Sequence, residues 1–599
     1  MNIILALVSR DESIVENSVS QFERFVQDEV TFKGSRQVSR RESCIVMSYS
    51  ANNPIFGKET FCSLEGSSTV FTGVPLINVG RKYAVREIDS KLTELGAAGF
   101  RESVGGTYSI MRIKNDEVLC FTDICGRCPL FYKKVVGGYA VANSPLLLSS
   151  VGGDGDTSSW NLSGRAAESL LVHSQIWGDS LLYPGVKLLE PRFGLSCTTD
   201  GERFFEISPS VWREYGGEFA KGPKQWSEAS DALQDSFKAV SYLTGGKQVT
   251  LGLSGGKDSR VMAAYSVACG VNPHFFTSGI KGSPEFGVAK SVAKELGSHT
   301  EIRESDPLNV QKGASLEGFK HHVGRYDGML LPVAGSRSSH KGSVQVEVTG
   351  FGGELYRGGI SKQFVNRSLV NWEDAATRWR NYHVPQDALG VVSARTRDRD
   401  GRWMADWVSF MRESGMPLQA LPELFFSQYR VPLHQGLASV ASGAKLSIDP
   451  LIHPKIHAVH NSFGQFAGST EMTHASLLWT VNPRLLSIPF LKDSWSAKLL
   501  PKFKGFELAQ VQVAAGLSDR HVRPMPWDFF KENRKKMIQI TELPDSGPIF
   551  DLVSKKKWLR WLAVSSGPES TPQANQAFVI LGLLLRLNGL GKRPYDCPA

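Results

Sequence analysis

The segment Ser254-Gly255-Gly256-Lys257-Asp258-Ser259 constrains this chain more than any other. A strand-like run, Val249-Thr250-Leu251-Gly252-Leu253, precedes it, and a run with helical character, Arg260 to Cys269, follows. The spacing predicts a loop that leaves a strand at its carboxyl end and opens a helix. In α/β sheets anions bind at such places, because the first N–H groups of a helix have no intrahelical acceptor. Gly255 and Gly256 let backbone N–H groups close on phosphate oxygens, Ser254 and Ser259 add hydroxyls, and Asp258 is placed to hold a divalent cation. The Gly-x-x-x-x-Gly-Lys-Ser/Thr spacing of the Walker loop is absent, and the bland alternative is a glycine-serine turn.

The downstream pattern repeats strand and helix. His274 to Gly279 reads as a second strand, and Pro284-Glu285 starts a helix that runs to Gly297. A third strand, Val344 to Val348, enters Thr349-Gly350-Phe351-Gly352-Gly353-Glu354-Leu355-Tyr356-Arg357-Gly358-Gly359, a second glycine-dense loop at a strand's carboxyl end. Glu354 there is a candidate second magnesium ligand opposite Asp258.

The order S-G-G-K-D-S, S-G-I-K-G-S-P-E (278 to 285) and T-G-F-G-G-E (349 to 354) resembles the synthetase domain of the asparagine synthetase B-like family, N-type ATP pyrophosphatases that split ATP between its α and β phosphates. The resemblance implies that Leu253 and Ser278 present backbone groups to adenine, that Gly350 lies close to the nucleotide, and that Asp258 and Glu354 hold Mg2+ on the pyrophosphate. It makes Ser254, Gly255, Gly256 and Ser259 the nucleotide-binding loop. The first third resembles the same family's glutamine amidotransferase (Ntn-type) domain through Gly105-Gly106-Thr107-Tyr108, Asp123 to Tyr132 and Tyr139 to Ser144. That domain needs cysteine as its first mature residue, with the α-amine as base. Asn2 stands in that place, so the domain is expected to be silent and ammonia not to come from glutamine.

An adenylated carboxyl group without supplied ammonia needs an amine from the substrate itself. Lasso peptide cyclases join an Asp or Glu side-chain carboxyl to the N-terminal amine of a precursor peptide whose leader has been removed, and β-lactam synthetases close a smaller ring. Asparagine synthetases carry glutamate, and β-lactam synthetases tyrosine, where this chain has Phe351. Gly352 to Gly359 and Tyr429 to Gly436 look most like the lasso cyclases. The expectation is therefore an ATP- and Mg2+-dependent, AMP-forming macrolactam synthetase with a peptide substrate and a leader peptidase as partner. A β-lactam synthetase-like enzyme, an asparagine synthetase, a tRNA-modifying pyrophosphatase and an inactive peptide-binding scaffold are the alternatives. For Lys257 two readings stand: a positive charge on the departing pyrophosphate, or a solvated loop lysine. Lys502, Lys504 and Lys531 have no context that assigns any of them to ring closure. Trp372, Trp379, Trp403 and Trp407 line either a cavity wall or, as tryptophans at helical spacing usually do, a core.

At 599 residues the chain exceeds one core. The expected fold is α/β: an amidotransferase-like αββα sandwich over residues 1–205, then an ATP-pyrophosphatase domain over 206–599 whose doubly wound parallel sheet spans about 225–360 and is followed by helices. Gly216-Gly217 and Gly222-Pro223 read as the connector, and Ile448-Asp449-Pro450-Leu451 resembles a shortened family segment. No apolar run reaches membrane-spanning length, and Ile3 to Val8 lacks the basic flank of a secretion signal, so a cytoplasmic address is expected. Eight scattered cysteines suit a reducing compartment, with Cys125 and Cys128 as core thiols. The net charge of +9 raises nucleic acid as a partner, but its clearest cluster, Arg395 to Arg402, interleaves acids with bases and reads as an exposed loop or helix end. No nucleic-acid-binding signature accompanies it.

Overall fold

The computed structural model describes residues 2–29, 34–41, 43–51, 60–64, 66–78, 84–152, 164–208, 210–216, 224–280, 283–305, 315–326, 329, 345–358, 369–381, 387–437, 445–490, 494–502, 527–564 and 568–590. Of the proposed connector, Gly217, Gly222 and Pro223 lie outside them, as does Lys504.

Strand β1 (Asn2–Ser9) is apolar on both faces, and both faces are covered. Ile3, Leu5 and Leu7 pack with Val15 and Phe22 of the helix Glu12–Glu29. Ile4, Ala6 and Val8 pack the other way, on Val70, Met111, Ile113, Cys120 and Leu195. A strand so placed lies in a sheet between a helical layer and a second sheet, because side chains alternate with period two. Its sheet joins β2 (Gly34–Arg41), β3 (Cys44–Ala51), β8 (Phe131–Val135), β9 (Gly138–Ala142) and β10 (Lys187–Leu188) in the order β10-β8-β9-β1-β3-β2. The second sheet orders β4 (Phe61–Leu64), β5 (Ser67–Leu76), β6 (Gly105–Lys114), β7 (Glu117–Thr122), β11 (Phe193–Thr198) and β12 (Gly201–Glu206) as β12-β11-β7-β6-β5-β4. On its outer face Phe71, Ile110 and Phe121 meet Ile88, Leu92 and Phe100 of the helix Ala84–Ser103. All pairings in both sheets are antiparallel, and the layers run αββα.

The third sheet is parallel: β13 (Val249–Gly252), β14 (Pro273–Ile280), β15 (Thr300–Ser305), β16 (Gln345–Val348) and β17 (Lys445–Ile448), ordered β15-β14-β13-β16-β17. The chain winds outward from β13 through β14 to β15, then returns to β13's other side with β16 and β17. The carboxyl ends of β13 and β16 therefore flank the point where winding reverses, the crevice in which open α/β sheets bind ligands. The sequence patterns placed β13, β14 and β16; β15 and β17 are additions.

One expectation needs correction in part, and one pair of readings is resolved. Arg395 to Arg402 is a helix end, the first two turns of the helix Ala394–Glu413, but it is not exposed throughout: its Asp400 is fully buried. Asp400 accepts from Arg165 at 2.7 Å and stands 2.7 Å from His173 Nε2, while Arg399 pairs with Glu168. The alternating charges thus clamp this helix to the helix Gly164–His173. The tryptophans build core: Trp379 and Trp407 stack with centroids 6.1 Å apart beside Phe425, and Trp372 and Trp403 pack against the same cluster. No described helix is long and apolar enough to cross a membrane.

Candidate active site

The loop after β13 is held open by its own chemistry. Gly255 has φ +70, and a Cβ there would stand 2.7 Å from Val288 Cγ1, so only glycine fits. Gly256 is the N-cap of the helix Lys257–Ala268 and offers no side chain to it, which leaves the first-turn N–H groups without a side-chain cap. The Ser254 and Ser259 hydroxyls lie 3.1 Å apart, and Ser259 Oγ accepts from the Ser254 amide. Beneath the loop Arg260 is fully buried and donates to four carbonyls, those of Gly255, Leu485, Ile488 and Pro489. Burial pushes its guanidinium down to about 9. By holding the Gly255 carbonyl below the loop, Arg260 fixes the peptide that turns the N–H groups outward.

Asp258 meets the second loop across the crevice. Gly350 and Gly353 lie so close that a Cβ on either would stand 2.9 Å and 2.2 Å from it, respectively. These two glycines thus bring the β16 loop against the β13 loop, and Glu354 follows one residue later in the 3-10 turn Gly353–Tyr356. Glu354 accepts from Gln435 Nε2 at 2.6 Å. Asp258 Oδ2 accepts from Arg357 at 2.5 Å. His474 Nε2 lies 2.7 Å from Oδ1 but off the line of a hydrogen bond, so that oxygen is buried without a donor. Two carboxylates, one with an orphaned oxygen, are hard oxygen donors that fit Mg2+, which usually takes one or two carboxylates and completes its shell with phosphates and water. No group of three metal-ligating side chains occurs among the described residues.

Lys257 departs from both sequence readings. It is 4% exposed; its ammonium pairs with Glu471 at 2.6 Å, donates to the Ser494 carbonyl, and lies over the Phe490 and Trp495 rings. A lysine so engaged is neither solvated nor turned to a phosphate. Leu253 is largely occupied too: its N–H donates to the Phe276 carbonyl, and its carbonyl accepts from the Thr277 hydroxyl, leaving one carbonyl lone pair for a ligand. Ser278 is exposed near the carboxyl end of β14. Gly350 packs on Asp258.

Arg260, Arg357, Gln435 and His474 enter the site without having been singled out for it from the sequence. Arg357 stands three residues beyond Glu354, so charge near the motif was a usable signal; His474 carries none. Gln435 lies in the last turn of a π-helix, Phe426–Gly436, that contains Pro432. Such segments are rare and recur at functional sites.

No protein-family model matches the chain, and no curated protein matches it. Among solved structures, a glutamine phosphoribosylpyrophosphate amidotransferase from B. subtilis, complexed with ADP and GMP, aligns over 51% of this chain and 91% of its own, with 11% identity and TM-score 0.22. A structure described as the allosteric regulatory enzyme of purine biosynthesis aligns over 61% and 77%, with 12% identity and the same score. Superpositions this loose leave the α/β fold to be read from strand order and register, as above.

Proposed function

We propose that this chain is an ATP-dependent, AMP-forming amide ligase that closes a macrolactam on a leader-free precursor peptide. One observation carries the reading: at the reversal point of a parallel sheet, an uncapped helix N-terminus with paired serine hydroxyls lies beside Asp258, onto which Gly350 and Gly353 bring the loop bearing Glu354. The loop amides and serines bind phosphate oxygens. Asp258 and Glu354 would hold Mg2+, which when bound neutralises charge on departing pyrophosphate. A side-chain carboxylate of the peptide attacks the α phosphorus and the bond to pyrophosphate breaks. The peptide's N-terminal amine then attacks the acyl carbon, AMP leaves, and the amine proton passes to solvent. Positioning supplies most of the acceleration, since both reactants belong to one bound molecule.

The test is incubation with ATP, Mg2+ and candidate leader-free peptides, with mass spectrometry for loss of one water and chromatography of the nucleotides. AMP and a dehydrated peptide are expected; ADP as product would refute the reading. Asp258→Asn should lower pyrophosphate release by at least about a hundredfold, the usual scale for removing a group that stabilises transition-state charge, with the melting temperature little changed. Undiminished release would remove Asp258 from the site.

A further inference from the structure

The seam between the antiparallel half and the parallel sheet holds a cation that makes no ion pair among the described residues. Arg127 sits in the bend after β7, where Asp123 Oδ1 accepts from the Cys125 amide at 2.9 Å. Gly126, with φ +64, turns the chain there against Pro191. The Arg127 side chain leaves its own half. Its guanidinium carbon stands 4.3 Å from the centroid of the Phe351 ring, and one terminal nitrogen donates to the Gln435 carbonyl. Its Nε is buried with no acceptor. Among the described residues it makes no ion pair; Asp449, whose charge it feels, already accepts from Thr107 and Thr349. His434, one residue before Gln435, also has a buried Nδ1 without a partner. Burial, with Arg430 and Arg127 adding to it, pushes His434 down to about 3, so the imidazole is neutral and adds no second charge.

These groups stand beside the crevice, not at its phosphate end. Phe351, under the guanidinium, directly follows Gly350, which packs on Asp258. Gln435 links the two sides, its carbonyl on Arg127 and its amide on Glu354. The two sides differ: on one lie two carboxylates, Asp258 already paired with Arg357, and on the other stands Arg127, which makes no ion pair among the described residues. An anion on that second side, next to a nucleotide yet not part of it, is the carboxylate to be activated. A guanidinium matches a carboxylate in shape and charge, and a partly desolvated one gains most from pairing.

We propose that Arg127, delivered from the amidotransferase-like half, binds the substrate carboxylate at the synthetase site and stabilises the oxyanion formed when the amine attacks the acyl carbon. This rests on the ligase reading above. It gives the antiparallel half a part in the reaction. It also puts a charged group over the Phe351 ring, one residue from Gly350.

Calorimetry on the full chain tests it with two probes: AMP, and an N-propionyl sulfamoyl adenosine, whose acyl group has the length of a glutamate side-chain carboxyl and cannot be displaced. Arg127→Gln should weaken the acyl analogue by about tenfold or more and leave AMP unchanged, the scale of one lost charge-assisted hydrogen bond. Arg127→Lys, which keeps charge and stem but not the planar fork, should lose part of that affinity and carries the test if the glutamine variant does not fold. Equal affinities of wild type and both variants for the acyl analogue, or a parallel loss for AMP, would overturn the assignment while the ligase reading stands. Wild-type protein that binds neither probe would overturn both.

Discussion

Asp258 and Lys257 are neighbours with opposite fates, and helix geometry explains why. One residue of helix rotates a side chain by about a hundred degrees, so in the first turn one points to the crevice and the next into the core. Lys257 is consequently part of the packing. Removing one member of a buried ion pair strands the other, at about 3–5 kcal/mol, whereas replacing both by apolar groups of similar volume is often neutral. Lys257→Met should destabilise the protein by that amount in urea titration, and Lys257→Met with Glu471→Leu should recover most of it while keeping pyrophosphate release. A double variant that folds but has lost activity would return Lys257 to the catalytic group. Arg260 was legible only as one more basic residue in a helix; three of the four carbonyls that its guanidinium gathers come from the 485–489 segment, more than two hundred residues away.

At the scale of elements, the helix Pro454–Thr470 carries an unusual load of buried histidines. His453 caps it, accepting from the Lys455 amide, and His457 and His460 lie inside it around the Tyr356 ring. Burial, with nearby positive charge, pushes His453 down to about 4 and His457 down to about 3, and holds His460 well below the ordinary imidazole range. The sign follows directly. The unfolded imidazole takes up a proton below about pH 6.5 and the folded one does not, so stability is complete above that pH and falls as pH drops toward 4 and 3. Each histidine contributes a loss of about 1.4 kcal/mol per pH unit in that window. Circular dichroism should show acid unfolding between about pH 6 and 4, and His457→Leu should move the midpoint lower; an unchanged midpoint would mean the histidine protonates in the folded state. The sequence reading placed only unspecified helices here, and the histidines signalled nothing, because burial is a property of what packs around them.

Across the whole molecule the two halves share their interiors. Residues from Ile3 to Leu585 contribute to one apolar cluster, and residues from Phe71 to Leu499 to another. Polar ties reinforce this: Thr107 in β6 and Thr349 after β16 both donate to the buried Asp449, and the Gly106 amide donates to the Ile452 carbonyl at 2.6 Å. Asp400 belongs to the same joint. Burial acts to raise its carboxyl, but His173 and Arg165 outweigh that and hold it well below the usual range. Because its folded value is depressed, its contribution is present above about pH 4 and is lost only as pH falls further, a later loss than that of the histidines. Asp400→Asn should therefore cost about 3 kcal/mol or more at neutral pH. Tryptophan fluorescence and far-ultraviolet circular dichroism should report one coincident denaturant transition; two separated transitions would show that the halves fold independently.

Local chemistry in the sequence determined the glycine-serine loop, its strand and helix, the glycine-dense partner loop, and the mixed α/β class, since φ-positive glycines, capping and periodicity act over a few residues. What only tertiary structure decided is which distant groups converge on that loop. The guanidinium under it, the imidazole beside Asp258, and Arg127 reaching across from the other half are set by long-range packing and strand order. Burial and charge pairing depend on neighbours in space, and no spacing along the chain encodes them.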